Sequence, residues 1–151
     1  MRPPILCSDV AALTGQLDGL SDPADAAAWL RLLRTLHSVG RRDLPLGRLF
    51  EGHVDALQII CRYGSPQQRN AVERFAREGA VFGVWNADLP GDPLRLGDSG
   101  LSGGKAFASG AGILTHALVS AAAADGRRQL LLLDLADLPP AIDRSWWRVT
   151  G

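Results

Sequence analysis

Two short runs in the middle of the chain combine residue types that can grip a small molecule. Ala80-Val81-Phe82-Gly83-Val84-Trp85 is an apolar strand pattern, and it ends in Asn86-Ala87-Asp88 before a Leu89-Pro90-Gly91-Asp92 loop that stops a ladder. A second run, Leu101 to Ser109, follows a glycine-rich turn and ends in Phe107-Ala108-Ser109. Strand ends of this kind present backbone N–H groups, one aromatic ring and one hydroxyl, the equipment for holding a flat, hydrogen-bonding heterocycle. The residues concerned are Val84, Trp85, Asn86, Ala87, Phe107 and Ser109. Taken by themselves, Phe107 and Ser109 read as a core aromatic at a strand end and a serine satisfying a turn.

The histidines and cysteines offer less chemistry. His53 stands between Glu51 and Asp55, but facing neighbours on a helix are three or four residues apart, so the three do not share a face. A packing or hydrogen-bonding role is expected for it. His37 falls in the last turn of a helix, where a protonated ring favours the dipole, and His116 reads as structural. Cys7 and Cys61 are too few and too far apart for a metal cluster, so no metal site is expected.

The central stretch resembles the middle β-domain of the acyl-CoA dehydrogenase family. In that family a first strand ends in Thr-Glu before a Pro/Gly/Ser/Asp loop, to which Ala87-Asp88 and Leu89-Pro90-Gly91-Asp92 correspond here. The second strand ends in an aromatic-x-Thr/Ser triplet, matched by Phe107-Ala108-Ser109 after the Gly104-Lys105 approach, and Tyr63-Gly64-Ser65-Pro66-Gln67-Gln68 resembles the junction leading into that domain. The resemblance implies FAD as cofactor, an acyl-CoA thioester as partner, and Val84, Trp85, Asn86, Ala87, Phe107 and Ser109 bordering the isoalloxazine ring. It also implies that no catalytic residue lies in this chain, since the family's glutamate base belongs to a later helical domain. Ala87 departs from the pattern by lacking the hydroxyl, and Asp92 stands roughly where the family has a loop serine. The function implied is part of an FAD-dependent α,β-dehydrogenase of acyl-CoA thioesters, inactive as this chain alone. Two alternatives are a flavin-dependent monooxygenase of the same fold and a non-catalytic partner subunit that completes a flavin or acyl-CoA site in trans. Family members assemble extensively, so a homo- or hetero-oligomer is expected.

Composition limits the other classes. Lys plus Arg and Asp plus Glu number 16 each, which leaves no global field to attract nucleic acid. No apolar run approaches the roughly 20 residues that span a bilayer. A cytoplasmic protein with neither a nucleic-acid nor a membrane partner is expected. A length of 151 residues with 46% hydrophobic content suffices for one core or two small half-domains.

The surrounding pattern predicts an α+β fold, with N-terminal antiparallel helices and then a mainly antiparallel, truncated β-domain. Ser8-Asp9 starts a helix to about Leu20, and Ser21-Asp22-Pro23 starts another over about 23–38 with Ala26, Trp29, Leu30, Leu33 and Leu36 as its apolar stripe. After a break at Gly40-Arg41-Arg42-Asp43 a third helix spans about 45–62, and Ser65 with Gln68 forms a capping box for a fourth. Trp29, Phe50, Leu57 and Phe75 are expected to be buried among these helices. The hydrophobic period changes near Ala80, dividing a shortened helical domain, 1–79, from a partial β-domain, 80–151. Within the latter, Ile113–Ala122 and Gln129–Leu135 form a hairpin around Asp125-Gly126, and Ile142–Thr150 starts another strand with Trp146 and Trp147 as packing groups.

Overall fold

A computed structural model describes residues 7–15 and 23–145. Four helices, α1 (Cys7–Thr14), α2 (Ala26–Arg42), α3 (Leu44–Tyr63) and α4 (Pro66–Arg77), precede five strands. These are β1 (Phe82–Trp85), β2 (Arg95–Gly97), β3 (Gly100–Ser102), β4 (His116–Ala123) and β5 (Arg128–Asp134). The α+β class is therefore observed.

The helix boundaries follow capping chemistry. Asp25 accepts the Ala28 N–H at 2.8 Å and starts α2, whereas the cap expected at Ser21-Asp22 lies outside the described residues, as does the end of the first helix beyond residue 15. At Asp43 one residue serves two helices. Its N–H bonds the Val39 carbonyl at 2.9 Å to close α2, and its carboxylate accepts the Leu46 N–H at 3.0 Å to open α3. The break expected over Gly40–Asp43 falls at Asp43 alone, because α2 runs through Gly40 to Arg42. Close approach is served by Gly47 instead: a Cβ there would lie 2.7 Å from the Gly40 Cα, whereas a Cβ on Gly40 would meet nothing within 4 Å. Ser65 and Gln68 form the reciprocal capping box that starts α4.

Helix α3 is the spine of the molecule, burying Leu49, Phe50, His53, Val54, Ala56 and Ile60. Phe50 is fully enclosed, and its truncation to alanine is expected to cost about 3–5 kcal/mol. Leu57 and Phe75 pack at the margin of the core, but Trp29 is 37% exposed. The stripe on α2 is rotated from the expected one. Leu32 is its buried residue, with Leu36 and Val39 packed beside it at spacings of four and three, leaving Trp29, Leu30 and Leu33 facing outward.

Strand β4 is the centre of a mixed sheet. On one edge it pairs parallel with β1 through Phe82–His116 to Trp85–Val119, and then with β2 at Arg95–Ala122 and Leu96–Ala123. On the other edge β5 runs antiparallel over the whole length of β4, and this hairpin is the longest ladder. Both sheet faces are covered. Val81, Trp85, Ala117, Val119 and Ala121 pack with Val10, Leu32, Leu49, Phe50 and Val54, while Phe82 and Leu118 pack with Ala56, Ile60 and Val72. Residues from both sides of position 80 thus share each cluster.

The strand expected over Leu101–Ser109 ends at Ser102. Beyond it Gly103, Phe107, Gly110 and Gly112 all adopt positive φ, a backbone that cannot hold a ladder. The next strand likewise starts at His116 rather than Ile113, because Ile113 and Leu114 donate their N–H groups to the Gly110 carbonyl in a tight turn. No strand forms over residues 142–145, and Trp146 and Trp147 lie outside the described residues.

Candidate functional site

The two expected strand ends are brought together. The indole N–H of Trp85, at the end of β1, donates to the Ser109 carbonyl at 2.9 Å. Trp85 itself is 5% exposed and belongs to the core, so its side chain fastens the site rather than lining it. The loop beside it is held in a tight turn by the Ser109 N–H on the Phe107 carbonyl at 2.9 Å. Phe107 sits there at φ 54 with 64% of its surface exposed. A left-handed conformation costs a residue with a Cβ about 1–2 kcal/mol, so a bulky ring held in it and turned to solvent is unusual for a purely structural residue.

A shallow depression lies between α3 and β1, with about 10 Å³ of room, space for about one water. Arg48, Leu49 and Gly52 of α3 line one side, and Phe82, Gly83, Val84, Ser109 and Leu114 the other. Glycine at position 83 keeps this region tight, since a Cβ there would meet Leu114 Cδ1 at 2.3 Å. The backbone of β1 supplies the polar groups. A residue in a strand turns its N–H and C=O to one edge, and its neighbours turn theirs to the other. Val81 bonds toward β4 through its carbonyl, whereas Phe82 points away and donates its N–H to His53 Nδ1 at 3.0 Å. Two residues on, the Val84 N–H and C=O face the same outer edge, in the depression.

His53 is fully buried, and its acceptor role at Nδ1 leaves the proton on Nε2, which has no hydrogen-bond partner. Burial pushes its pKa down to about 4, so the ring is neutral and fixes the β1 edge. His116 stacks on Phe75, lies against Phe82 and touches the Thr115 hydroxyl, with its pKa lowered by burial. Both rings are structural.

Asn86 and Ala87 point elsewhere. Asn86 Oδ1 accepts the Ser120 hydroxyl at 2.7 Å and its carbonyl accepts Lys105 Nζ at 2.9 Å, while the Ala87 carbonyl takes the Ala106 N–H. Lys105, whose side chain is 5% exposed, also reaches Asp88 at 2.7 Å and Ser120 at 3.0 Å. Arg128 closes the group by donating to Asp88 and Ser120, both at 2.9 Å. Bonds from Arg128 and then Lys105 hold the Asp88 carboxyl down to about 2. Asp88 is thus a permanent anion with its oxygens occupied, unsuited to taking a proton. No local pattern marks this five-residue network, because β4 and β5 bring its members together from far apart in the chain. Asn86, Asp88 and Lys105 stood in the motifs singled out, but their joining with Ser120 and Arg128 did not show there. Asp92 is an exposed loop carboxylate 3.6 Å from Arg95.

Among the described residues no group of three His, Cys, Asp or Glu side chains is placed to hold a metal ion, and no helix is long and apolar enough to cross a membrane. No family model and no curated protein matches the chain. A solved structure does. The chain is similar to KijD3, solved in complex with dTDP, with 24% identity and a TM-score of 0.52 over 84% of this chain. It spans 35% of the length of KijD3, and the likeness is one of fold.

Proposed function

We propose that this chain supplies one wall of the flavin site in an acyl-CoA dehydrogenase-like flavoprotein of the cytoplasm. The observation that carries the reading is the exposed, left-handed Phe107, two residues before the Ser109 that Trp85 ties to the end of β1 and that lines a shallow depression there. These residues fit a flavin ring in kind. Phe107 offers a stacking face, Val84 offers a backbone donor and acceptor at the edge of the depression, and Ser109 offers a hydroxyl at its margin. Trp85 fastens these groups from behind. Asn86 and Ala87 set the loop rather than touch the ring, through bonds to Ser120, Lys105 and Ala106.

When bound, FAD would accept the hydride removed from Cβ of an acyl-CoA thioester. The residues of this chain hold and orient the ring, and the base that takes the Cα proton comes from other protein. No carboxylate lines the depression, and Asp88 stays ionised within its network. Geometry of the base precedes its pKa in proton abstraction, so the isolated chain is expected not to oxidise acyl-CoA esters with any artificial acceptor.

Riboflavin, which carries the ring without the adenosine half, is the probe for this wall. The chain should quench its fluorescence weakly, and Phe107→Ala should abolish most of that quenching while leaving the circular dichroism spectrum intact. Equal quenching by the parent and Phe107→Ala would reject the placement.

A further inference from the structure

Strand β5 is the outer strand of the sheet, and among the described residues it pairs only with β4. Two bonds fix the phase of that ladder: Ala123 N–H to the Arg127 carbonyl at 2.8 Å and Leu135 N–H to the Thr115 carbonyl at 3.0 Å. Bonded and non-bonded pairs alternate in an antiparallel ladder, so the odd-numbered residues of β5 turn their backbone groups toward β4. The N–H and C=O groups of Arg128, Leu130 and Leu132 therefore face outward. Asp134 bounds this edge, since its carbonyl already accepts the Leu138 N–H at 3.1 Å. The side chains of these even-numbered residues share one face, where Leu130 is 50% and Leu132 37% exposed. An apolar edge with outward backbone groups is a template for another strand.

We propose that β5 is a self-association edge, pairing antiparallel with β5 of a second copy about a two-fold axis at Leu131. An isologous contact requires a self-complementary strand, and Arg128-Gln129-Leu130-Leu131-Leu132-Leu133-Asp134 meets that requirement in one register. Outward-facing residues must oppose outward-facing residues for their backbone groups to bond. Centring on Leu131 satisfies this, setting Leu130 against Leu132 of the second copy and Arg128 against its Asp134. Centring on Leu130 sets Arg128 against a leucine, and centring on Leu132 sets Asp134 against a leucine. Charge therefore selects Leu131. Arg128 donates to Asp88 and Ser120 within its own copy, yet it and Asp134 keep side-chain exposures of 48% and 47%, so each carries its charge partly in solvent. The sheet becomes continuous across the two copies. This inference is independent of the flavin reading, because β5 lies across β4 from β1.

Sedimentation velocity from low to high micromolar concentration tests it, with Leu130→Lys and Leu130→Pro as variants. The Leu130 N–H faces outward, so proline there spares the ladder with β4. The parent is expected to dimerise, and each variant to raise the dissociation constant by about tenfold or more. Amide exchange on the parent provides the second readout, which no variant's folding can confound. The Leu130 and Leu132 amides should exchange slowly at high concentration and quickly on dilution, with the Leu131 and Leu133 amides unchanged. A monomer at every concentration, a dimer that survives both variants, or Leu130 and Leu132 exchange independent of concentration would each overturn the proposal.

Discussion

The two ends of the loop that leaves β1 are built on opposite plans. At Asn86–Asp88 the side-chain oxygens accept from Lys105, Ser120 or Arg128, and the cluster is closed. Val84 and Ser109 line a shallow depression, and the Phe107 ring two residues before Ser109 is exposed. A closed polar network in a partly buried setting rigidifies, and rigidity there is what allows a neighbouring strained turn to persist. On the proposed reading the first region supports and the second binds.

Breaking the closed region should have the largest effect. Lys105→Met removes the central donor and leaves the Asn86 carbonyl and the Asp88 carboxylate short of partners. Loss of one member of a buried pair costs about 3–5 kcal/mol. The lower end, about 3 kcal/mol, is expected because the Asp88 side chain is 26% exposed. Urea denaturation of the variant measures this directly.

His53 gives the next effect and links the two regions through the β1 edge. Its folded pKa of about 4 lies below the ordinary 6.5, so the unfolded chain binds more protons between these values. Stability contributed by neutral His53 is complete above pH 6.5, is lost progressively as pH falls toward 4, and is lost no further below that. The gap corresponds to about 3 kcal/mol. His53→Asn keeps an acceptor for the Phe82 N–H without the titration, so its stability should fall less than the parent's over this window. Identical pH profiles would remove His53 from the account. The depressed pKa of Asp88 acts in a lower window, between its ordinary value and about 2, and does not confuse the reading.

Substitutions in the open region should separate stability from binding. Phe107→Gly relieves the left-handed backbone and is expected to raise stability by about 1 kcal/mol, while riboflavin quenching is lost. Ser109→Ala is the mildest change, weakening riboflavin binding by about 1 kcal/mol or less through one hydroxyl. A Phe107→Gly variant that is less stable than the parent would mean that the ring is held for packing.

Local signals were legible in the sequence where they depend on neighbours in the chain. The Ser65–Gln68 capping box, the Asp125-Gly126 hairpin and the change of period near residue 80 are of this kind, and each occurs as expected. Gly40 misled because α2 continues through it to Arg42, and the stop is set by Asp43, which closes α2 and caps α3. The Leu101–Ser109 run misled because its family-like Phe107-Ala108-Ser109 end reads as a strand end even where positive φ angles at Gly103 and Phe107 fold the chain into a loop. Parallel pairing of β1 with β4 and the clustering of Asp88, Lys105 and Arg128 join residues far apart in sequence, and no local period encodes them. At the candidate site, Phe107 and Ser109 were legible as types at a spacing. That Trp85, Asn86 and Ala87 serve as fastenings became visible only from their bonding partners.

The central claim is that a flavin ring rests on the open region and not on the closed one. Titrating riboflavin into the isotope-labelled chain and following backbone amide resonances tests it most directly. Shifts are expected at Val84, Phe107 and Ser109, with Asp88, Lys105 and Arg128 left in place. Shifts centred on the Asp88–Lys105–Arg128 network, or bound riboflavin that leaves Val84 and Ser109 unmoved, would contradict it.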